Sequence, residues 1–208
     1  MSEAIKALIF DVGGVLVRTR DPGPRERLAA EFNLSVRALY GIAFGGDTWN
    51  QVQLGRIPYD EHWQVVGQRL GLAWPEEVVA FRQSFFEGDK LDGEMIDLVL
   101  QLRGRYKVAL LSNAPGDLRR WIVEEWDLPD DTFDAVVVSA EVGVMKPDPE
   151  IYHIALARLG VAPGEAIFVD DFVENVRAAQ KLGLRAVHFT SAEALTEVLR
   201  AWIDLSHD

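Results

Sequence analysis

The sequence predicts an α/β fold in which a doubly wound parallel sheet carries a helical insertion after its first strand. Short runs of Val, Ile, Leu and Ala recur along the chain, and amphipathic stretches of helical length separate them. Near-continuous apolar runs are typical of parallel strands that are covered on both faces. The alternation breaks over residues 18–91, which are mostly helical by pattern, and this break predicts the insertion.

Five runs have the length and composition of buried strands. In chain order they are residues 5–10 (IKALIF), 107–112 (KVALLS), 135–139 (AVVVS), 166–170 (AIFVD) and 185–189 (RAVHF). Strands that alternate with helices in this way are joined by right-handed crossovers, so the runs are expected to lie parallel in one sheet. Ligands in such open sheets bind outside the carboxyl ends of the strands.

Amphipathic stretches that cover the sheet are predicted as helices at residues 93–103, 117–126, 149–160, 173–182 and 192–203. Gly160 and Gly183 follow the last periodic residues of two of these stretches, as a C-terminal capping glycine does. The alternation as a whole predicts a doubly wound, Rossmann-like parallel sheet with helices on its faces.

The insertion has the size of a small domain, since it spans roughly 70 residues. We predict a core domain formed by residues 1–17 and 92–208, and an inserted helical cap domain formed by residues 18–91. The cap holds three of the six tryptophans, Trp49, Trp63 and Trp74. Tryptophan buries a large area, so packing inside the cap is the favoured role for all three.

Composition restricts the class of function. The 208-residue chain has a formal charge of −12, whereas nucleic-acid binding needs clustered Lys and Arg. The absence of cysteine excludes disulfides, thiolate zinc sites and cysteine nucleophiles, and is compatible with a reducing compartment. Apolar runs stay short of the ~18 residues of a membrane helix. We expect a cytoplasmic monomer or homodimer that binds a small molecule and has no nucleic-acid or membrane partner.

Polar side chains follow the predicted strands where each strand ends. They are Asp11 after the first strand, Ser112 and Asn113 after the second, Lys146 a few residues past the third, and Asp170 with Asp171 at the end of the fourth. Three carboxylates at one edge repel each other unless a cation lies between them. Oxygen ligands without Cys or a nearby His suit a hard ion such as Mg²⁺. A cation, a lysine and a hydroxyl around one aspartate are typical of a phosphoryl-binding site.

Four segments resemble, in order, the four motifs of the haloacid dehalogenase-like hydrolases, most of whose members are magnesium-dependent phosphatases. They are FDVGGVL, LLSNA, the lysine of VGVMKPDPEIY, and FVDDFVENVRAA. The resemblance extends over the whole chain, and four ordered motifs are jointly specific where one alone is weak. The inserted segment is also similar to the small helical cap that many members carry between their first and second motifs.

The resemblance implies a nucleophile and a metal site. Asp11 would take the phosphoryl group as an aspartyl phosphate, a covalent step that divides one difficult hydrolysis into two. Mg²⁺ would be held by Asp11, by the backbone carbonyl of Gly13 and by Asp171. Asp170 would be a direct or water-mediated ligand.

The resemblance also implies roles for residues around the phosphoryl group. Ser112 and the neighbouring backbone would hold phosphoryl oxygens, Lys146 would neutralise charge, and Asn175 would orient the metal site. Arg18, just after the first motif, is either a contact for a second anionic group or a solvated cation. The candidates for substrate binding are Gly14, Arg18, Trp49, Ser112, Asn113 and Lys146.

Gly13 is the departure from the family pattern. Most phosphatases of this family carry a second aspartate two residues after the nucleophile, where it serves as general acid and then general base. Glycine cannot transfer a proton, and such catalysis contributes typically ~10²- to 10⁴-fold. Similar D-x-G sequences occur in family members that resemble working sugar-phosphate phosphatases. We expect acyl or anomeric sugar phosphates, which need little leaving-group protonation, to be least affected.

Each candidate also has a purely structural interpretation. Asp11 and the pair Asp170 and Asp171 suit turn or helix caps, Lys146 alone suits the surface, and Gly13 with Gly14 suits a tight turn. The four motifs together favour the active-site interpretation.

Two other function classes stay open. One is carbon–halogen hydrolysis by Asp11, which the resemblance disfavours because dehalogenases of the family need no metal and lack the paired acids. The other is a catalytically weak phosphate-binding or regulatory domain, in which the fold persists without an acid at position 13.

Overall fold

A computed structural model of the chain describes residues 4–129 and 131–205. The described residues form seven strands. In chain order these are β1 (Ala7–Phe10), β2 (Val17–Thr19), β3 (Asp89–Leu91), β4 (Lys107–Ser112), β5 (Ala135–Val138), β6 (Ala166–Asp170) and β7 (Arg185–His188). Five of them make one parallel sheet in the order β5-β4-β1-β6-β7, and β2 pairs with β3 in a separate antiparallel sheet.

Eleven α-helices lie in the same part of the chain. They are α1 (Gly23–Glu31), α2 (Val36–Phe44), α3 (Asp47–Gln53), α4 (Tyr59–Leu70), α5 (Pro75–Phe86), α6 (Gly93–Leu102), α7 (Leu118–Glu125), α8 (Ser139–Val142), α9 (Pro149–Leu159), α10 (Val173–Lys181) and α11 (Ala192–Arg200). No helix in the described ranges is long and apolar enough to cross a membrane.

The predicted fold class is confirmed. The five strands of the parallel sheet fall within the five apolar runs, and α6, α7, α9, α10 and α11 fall within the five amphipathic stretches. Gly160 ends α9 in the left-handed region with a φ of 63°, and its N–H donates to the carbonyl of Ala157. The sequence did not predict the short antiparallel pair β2–β3 or the four-residue helix α8.

Alternate residues of the central strand enter different cores. In β1, Leu8 and Phe10 pack into a cluster with residues of α6 and α11, while Ala7 and Ile9 pack into a cluster with α9. All four side chains are completely buried. Burial on both faces explains why the strands read as continuous apolar runs, since neither face is left for polar residues.

The strand order reverses at β1. The chain passes from β1 to β4 and β5 on one side, and then to β6 and β7 on the other. In the register, Phe10 of β1 stands opposite Leu110 of β4 and Val169 of β6. β1 ends at Phe10, β6 continues for one residue and β4 for two, so the three carboxyl ends lie at the same edge, where an open α/β sheet forms its ligand crevice.

Residues 23–86 form a helical unit with a core of its own. Residues of α1, α2, α4 and α5 surround Trp63 and Phe85, which are both buried. Packing inside the cap is wrong for Trp74, which is 66% exposed. β2 precedes this unit in the chain and β3 follows it, and the two strands pair with each other. Arg25 of α1 binds Asp89 of β3 at 2.5 Å. On these contacts we propose the division into a core of residues 1–17 and 92–208 and a cap of residues 18–91.

His62 is completely buried in the cap. Its Nε2 lies 2.8 Å from the carbonyl oxygen of Ala43, so Nε2 carries the proton and donates, and its Nδ1 lies 2.9 Å from the hydroxyl of Thr48. Burial lowers the pKa of His62 below its ordinary value of 6.5. The folded state therefore binds this proton more weakly than the unfolded chain does.

We expect this linkage to destabilise the fold at acid pH. As the pH falls below 6.5, the unfolded chain takes up the His62 proton first, so the free energy of unfolding decreases. Thermal unfolding between pH about 5 and about 8 should show a smaller loss of stability for His62→Gln than for the unchanged chain. His153→Gln, on the exposed surface of α9, is the matched control. Identical pH profiles for all three proteins would contradict the expectation.

Candidate active site

The candidate site lies at the carboxyl edge of the parallel sheet. Asp11 directly follows β1, Ser112 is the last residue of β4, and Asp170 is the last residue of β6. Carboxylate oxygens of Asp11, Asp170 and Asp171 all lie within 4.8 Å of one another. The strand ends bring together acidic groups that are up to 160 residues apart in the chain, as the sequence predicted for this edge.

Lys146 reaches this cluster from the loop between α8 and α9. Its Nζ lies 2.9 Å from Asp11 Oδ1 and 2.7 Å from Asp170 Oδ2, and it donates to the carbonyl of Leu111 at 2.9 Å. These contacts use all three N–H bonds of the ammonium group. Three carboxylates and one ammonium still leave two negative charges in a site where Lys146 is only 2% exposed.

Burial and the neighbouring charges shift the pKa values of the site. Burial raises the pKa of Asp11 from 3.8 to about 6, against the opposing charge of Lys146. Burial also raises the pKa of Asp171, and the charge of Asp170 adds to the effect. For Lys146, burial alone would lower the pKa, but Asp11 and Asp170 outweigh it and the pKa is raised. Lys146 therefore stays charged, and its single positive charge does not offset the effect of burial on Asp11 and Asp171.

Asp170 and Asp171 have different surroundings. Asp170 is fully buried and accepts hydrogen bonds from the backbone N–H of Phe172 at 2.7 Å and from the side chain of Asn175 at 3.0 and 3.1 Å. Asp171 Oδ1, in contrast, is buried and has no hydrogen-bond partner among the described residues. A buried carboxylate oxygen without a partner is unfavourable, so the site fits a hard cation next to Asp171.

Two adjacent glycines shape the turn after Asp11. Gly14 has a φ of 80°, and a Cβ placed on it would lie 2.2 Å from Asp171 Oδ2. Only glycine allows this approach, so Gly14 determines where the Asp171 carboxylate stands. A Cβ on Gly13 would meet nothing within 4 Å. The place where most family phosphatases carry a second aspartate is therefore open in this chain.

Ser112 and Asn113 lie side by side at the end of β4. Ser112 is 4% exposed, and its hydroxyl forms no hydrogen bond with any residue in the described part of the chain. The side chain of Asn113 is bound to the backbone of Lys146 in both directions. The hydroxyl of Ser112 is thus available to a ligand, while the amide of Asn113 is engaged within the protein.

Arg18 and Trp49 have partners inside the protein. Arg18 donates to Asp92 Oδ2 at 3.0 Å, Arg20 pairs with Asp92 Oδ1 at 2.8 Å, and Asp92 is completely buried. The ring of Trp49 packs between those of Phe44 and His62, at centroid distances of 5.0 and 5.2 Å. These contacts favour structural roles, at the junction of β2 and α6 for Arg18 and inside the cap for Trp49.

Sequence reasoning missed three features of this region. They are the close approach of Gly14 to Asp171, the Asp92 ion pairs, and a hydrogen bond from Gln53 of the cap to the backbone carbonyl of Asn113. The first could be foreseen from the paired glycines after Asp11. The other two join residues 60 or more positions apart and have no local pattern.

The fold and the site define a class of protein. A buried aspartate at the carboxyl edge of a parallel sheet, paired with a lysine and flanked by further carboxylates, is the arrangement of an enzyme with a carboxylate nucleophile. Residues 5–183 match the family model described as haloacid dehalogenase-like hydrolase. The chain belongs to this family and is a hydrolase, as the four motifs predicted.

Relatives of the chain include phosphatases. The chain is 35% identical to the sesquiterpene phosphatase astK of Aspergillus oryzae, over 96% of this chain and 97% of that protein. It is 29% identical to D-ribitol-5-phosphate phosphatase of Bacteroides thetaiotaomicron, over 86% and 89%. A family enzyme from Bacteroides thetaiotaomicron, crystallised with magnesium and inorganic phosphate, has a TM-score of 0.67 at 27% identity, over 88% of this chain and 93% of that one.

The two glycines of the first motif should respond differently to an added methyl group. Gly14→Ala would displace Asp171 and force a left-handed backbone, at about 1–2 kcal/mol for the backbone alone. We expect Mg²⁺ to raise the unfolding temperature of the unchanged chain, because ligands that bind the folded state stabilise it, and we expect Gly14→Ala to reduce this rise. Gly13→Ala has room and should keep this rise. Equal responses of the two variants would show that Asp171 has no part in cation binding.

Proposed function

We propose that this chain is a magnesium-dependent phosphatase of small phosphorylated metabolites that acts through an aspartyl phosphate on Asp11. The observation that carries the proposal is the buried ammonium of Lys146, held between Asp11 and Asp170, with the unpaired Asp171 oxygen beside them. Such a site has a carboxylate nucleophile, a fixed positive charge and a place for a cation, which are what phosphoryl transfer requires.

The carboxylate of Asp11 is held in place for attack. Oδ1 accepts the N–H of Val12 at 2.7 Å and lies 2.9 Å from Lys146 Nζ. In this proposal the carboxylate then forms a bond to phosphorus as the bond from phosphorus to the leaving oxygen breaks. The hydroxyl of Ser112 donates to a phosphoryl oxygen, and the charge of Lys146 stabilises the negative charge that develops. Water then hydrolyses the acyl phosphate and regenerates the carboxylate.

Mg²⁺ fits the donor set of the site. Asp11 and Asp171 are its carboxylate ligands in this proposal, with the carbonyl of Gly13 and Asp170 as further candidates, the latter directly or through water. When bound, the ion supplies positive charge that neutralises the carboxylates and the phosphoryl oxygens. Asn175 holds Asp170 in place for this role through its two hydrogen bonds.

The names of the relatives support a phosphomonoester as substrate. One acts on a sesquiterpene phosphate and the other on a ribitol phosphate, so the shared part is the phosphate and not the organic group. Among small phosphorylated metabolites we favour substrates whose leaving group needs little protonation, including acyl and anomeric sugar phosphates, because Gly13 cannot act as a general acid. The leaving oxygen then takes its proton from solvent.

The missing acid favours one alternative function, a phosphate-binding or regulatory domain with weak turnover. Carbon–halogen hydrolysis by Asp11 is less favoured, because the unpaired Asp171 oxygen indicates a cation and the resemblance connects dehalogenases with metal-free sites.

The proposal is tested by phosphate release from a panel of sugar, acyl and alkyl phosphates, with and without Mg²⁺. We expect release that requires Mg²⁺ and that falls by about 10³-fold or more in Asp11→Asn, which lacks the nucleophile. Glu174→Gln removes an exposed carboxylate three residues after Asp171 and should keep full activity. Phosphate binding with release no faster than in Asp11→Asn would instead indicate the regulatory domain.

A proton donor added at position 13 should restore leaving-group protonation. A Cβ at position 13 meets nothing within 4 Å, so we expect Gly13→Asp to be tolerated and to raise turnover of simple alkyl phosphates by up to ~10²- to 10⁴-fold. Turnover of acetyl phosphate should rise less, because its leaving group needs little protonation. Gly13→Asn has the same shape without a transferable proton and should give neither gain. Equal gains on both substrates would refute the leaving-group argument.

A further inference from the structure

Lys146 is held at both ends. Its ammonium has three protein acceptors, and its backbone is bound by the side chain of Asn113. The backbone N–H of Lys146 donates to Asn113 Oδ1 at 2.8 Å, and Asn113 Nδ2 donates to the Lys146 carbonyl at 2.8 Å. This two-bond bracket satisfies both backbone groups of a residue that lies in a loop between α8 and α9, outside any strand or helix.

The bracket continues into the cap. The side chain of Gln53, the last residue of α3, donates to the backbone carbonyl of Asn113 at 3.0 Å. Two residues later the backbone of Gly55 approaches the core so closely that a Cβ would lie 2.2 Å from the carbonyl oxygen of Ala140. This hydrogen bond therefore lies where the cap and the core domain are in contact. It binds the backbone of Asn113, the residue whose side chain holds Lys146.

We propose that Asn113 is a positioning residue for Lys146, and that Gln53 links this bracket to the seating of the cap on the core. The inference rests on the proposed function, in which Lys146 stabilises charge at the phosphoryl group. A displacement of about 1 Å at a reacting centre can reduce the rate by 10²-fold. Asn113 controls the backbone of Lys146, so it controls where the ammonium stands relative to Asp11 and Asp170.

This role differs from the one that the sequence suggested for Asn113, which was contact with the substrate. A substrate contact acts on the phosphoryl group, whereas a bracket acts on the backbone of Lys146. The two roles have different signatures. Loss of the bracket makes the Lys146 amide exchange faster with solvent even without substrate, and lowers kcat more than it raises KM.

The test compares Asn113→Ala and Gln53→Leu in the full-length chain with two matched controls. Ser139→Ala removes a buried hydroxyl that binds both backbone groups of Ala114, the next residue of the same segment. Gln51→Leu removes the amide of a half-buried residue of α3 whose side chain contacts only Asp47, at 3.3 Å, within the described residues. Neither control touches Lys146.

We expect kcat for phosphate release to fall about 10- to 100-fold in Asn113→Ala, with a smaller fall in Gln53→Leu and a smaller change in KM than in kcat. Exchange of the Lys146 amide, followed by nuclear magnetic resonance, should accelerate in both variants. Both controls should match the unchanged chain in kcat and in Lys146 exchange. Thermal unfolding identifies any variant that has lost its fold, and Gln53, at the surface between cap and core, still tests the proposal if Asn113→Ala does not fold.

Exchange of the Lys146 amide does not depend on turnover, so it separates this inference from the proposed function. If the unchanged chain releases no phosphate, accelerated exchange in both variants still supports the bracket. If the chain is active and Asn113→Ala lowers kcat without changing Lys146 exchange, the proposal is overturned and Asn113 acts on the substrate. If Gln53→Leu behaves like Gln51→Leu in both measurements, the link to the cap is overturned.

Discussion

The site depends on one buried ammonium group. Asp11 and Asp170 stand at neighbouring strand ends, and their carboxylates are almost fully buried. Two such charges repel strongly in a low-dielectric setting, and the ammonium of Lys146 lies between them at 2.9 and 2.7 Å. Breaking a buried pair of this kind typically destabilises a protein by about 3–5 kcal/mol, because the remaining charges lose their partner. Three features hold these groups in place. They are the loop that carries Lys146, the register of β1, β4 and β6, and the hydrogen bonds from Asn175 to Asp170.

The same charges explain why the site fits a cation. Lys146 compensates one of three carboxylates, and Asp171 retains a buried oxygen without a partner in the described residues. Gly14 allows Asp171 to stand this close, since any side chain there would collide with its carboxylate. Gly13, one residue earlier, has free space and a different consequence, because most phosphatases of the family carry a second aspartate at this position. Gly14 is thus required by geometry, whereas Gly13 leaves its position without a proton donor and does not disturb the fold.

The cap is a second packed unit joined to this site by few polar contacts. Its interior is aromatic, with Trp63 and Phe85 at the centre, and Arg25 lies against the rings of Tyr40 and Phe85. The ion pairs of Asp92 lie at the base of the cap, and the hydrogen bond from Gln53 lies at its contact with the core. Because the cap has a hydrophobic interior of its own, it can keep its shape while its contact with the core domain changes. Residues at that contact are therefore where cap position can affect the chemistry.

The sequence by itself determined the fold class and the candidate residues at the strand ends. Apolar runs of period and length typical of buried strands are local patterns, and Asp11, Ser112 and Asp170 lie next to them. Tertiary structure alone decided the contacts that hold these groups together. Lys146 lies 24 residues from Asp170 and 33 from Asn113, Arg18 lies 74 from Asp92, and Gln53 lies 60 from Asn113. Contacts over such separations depend on strand order, register and packing, and these are properties of the whole chain that no local pattern contains.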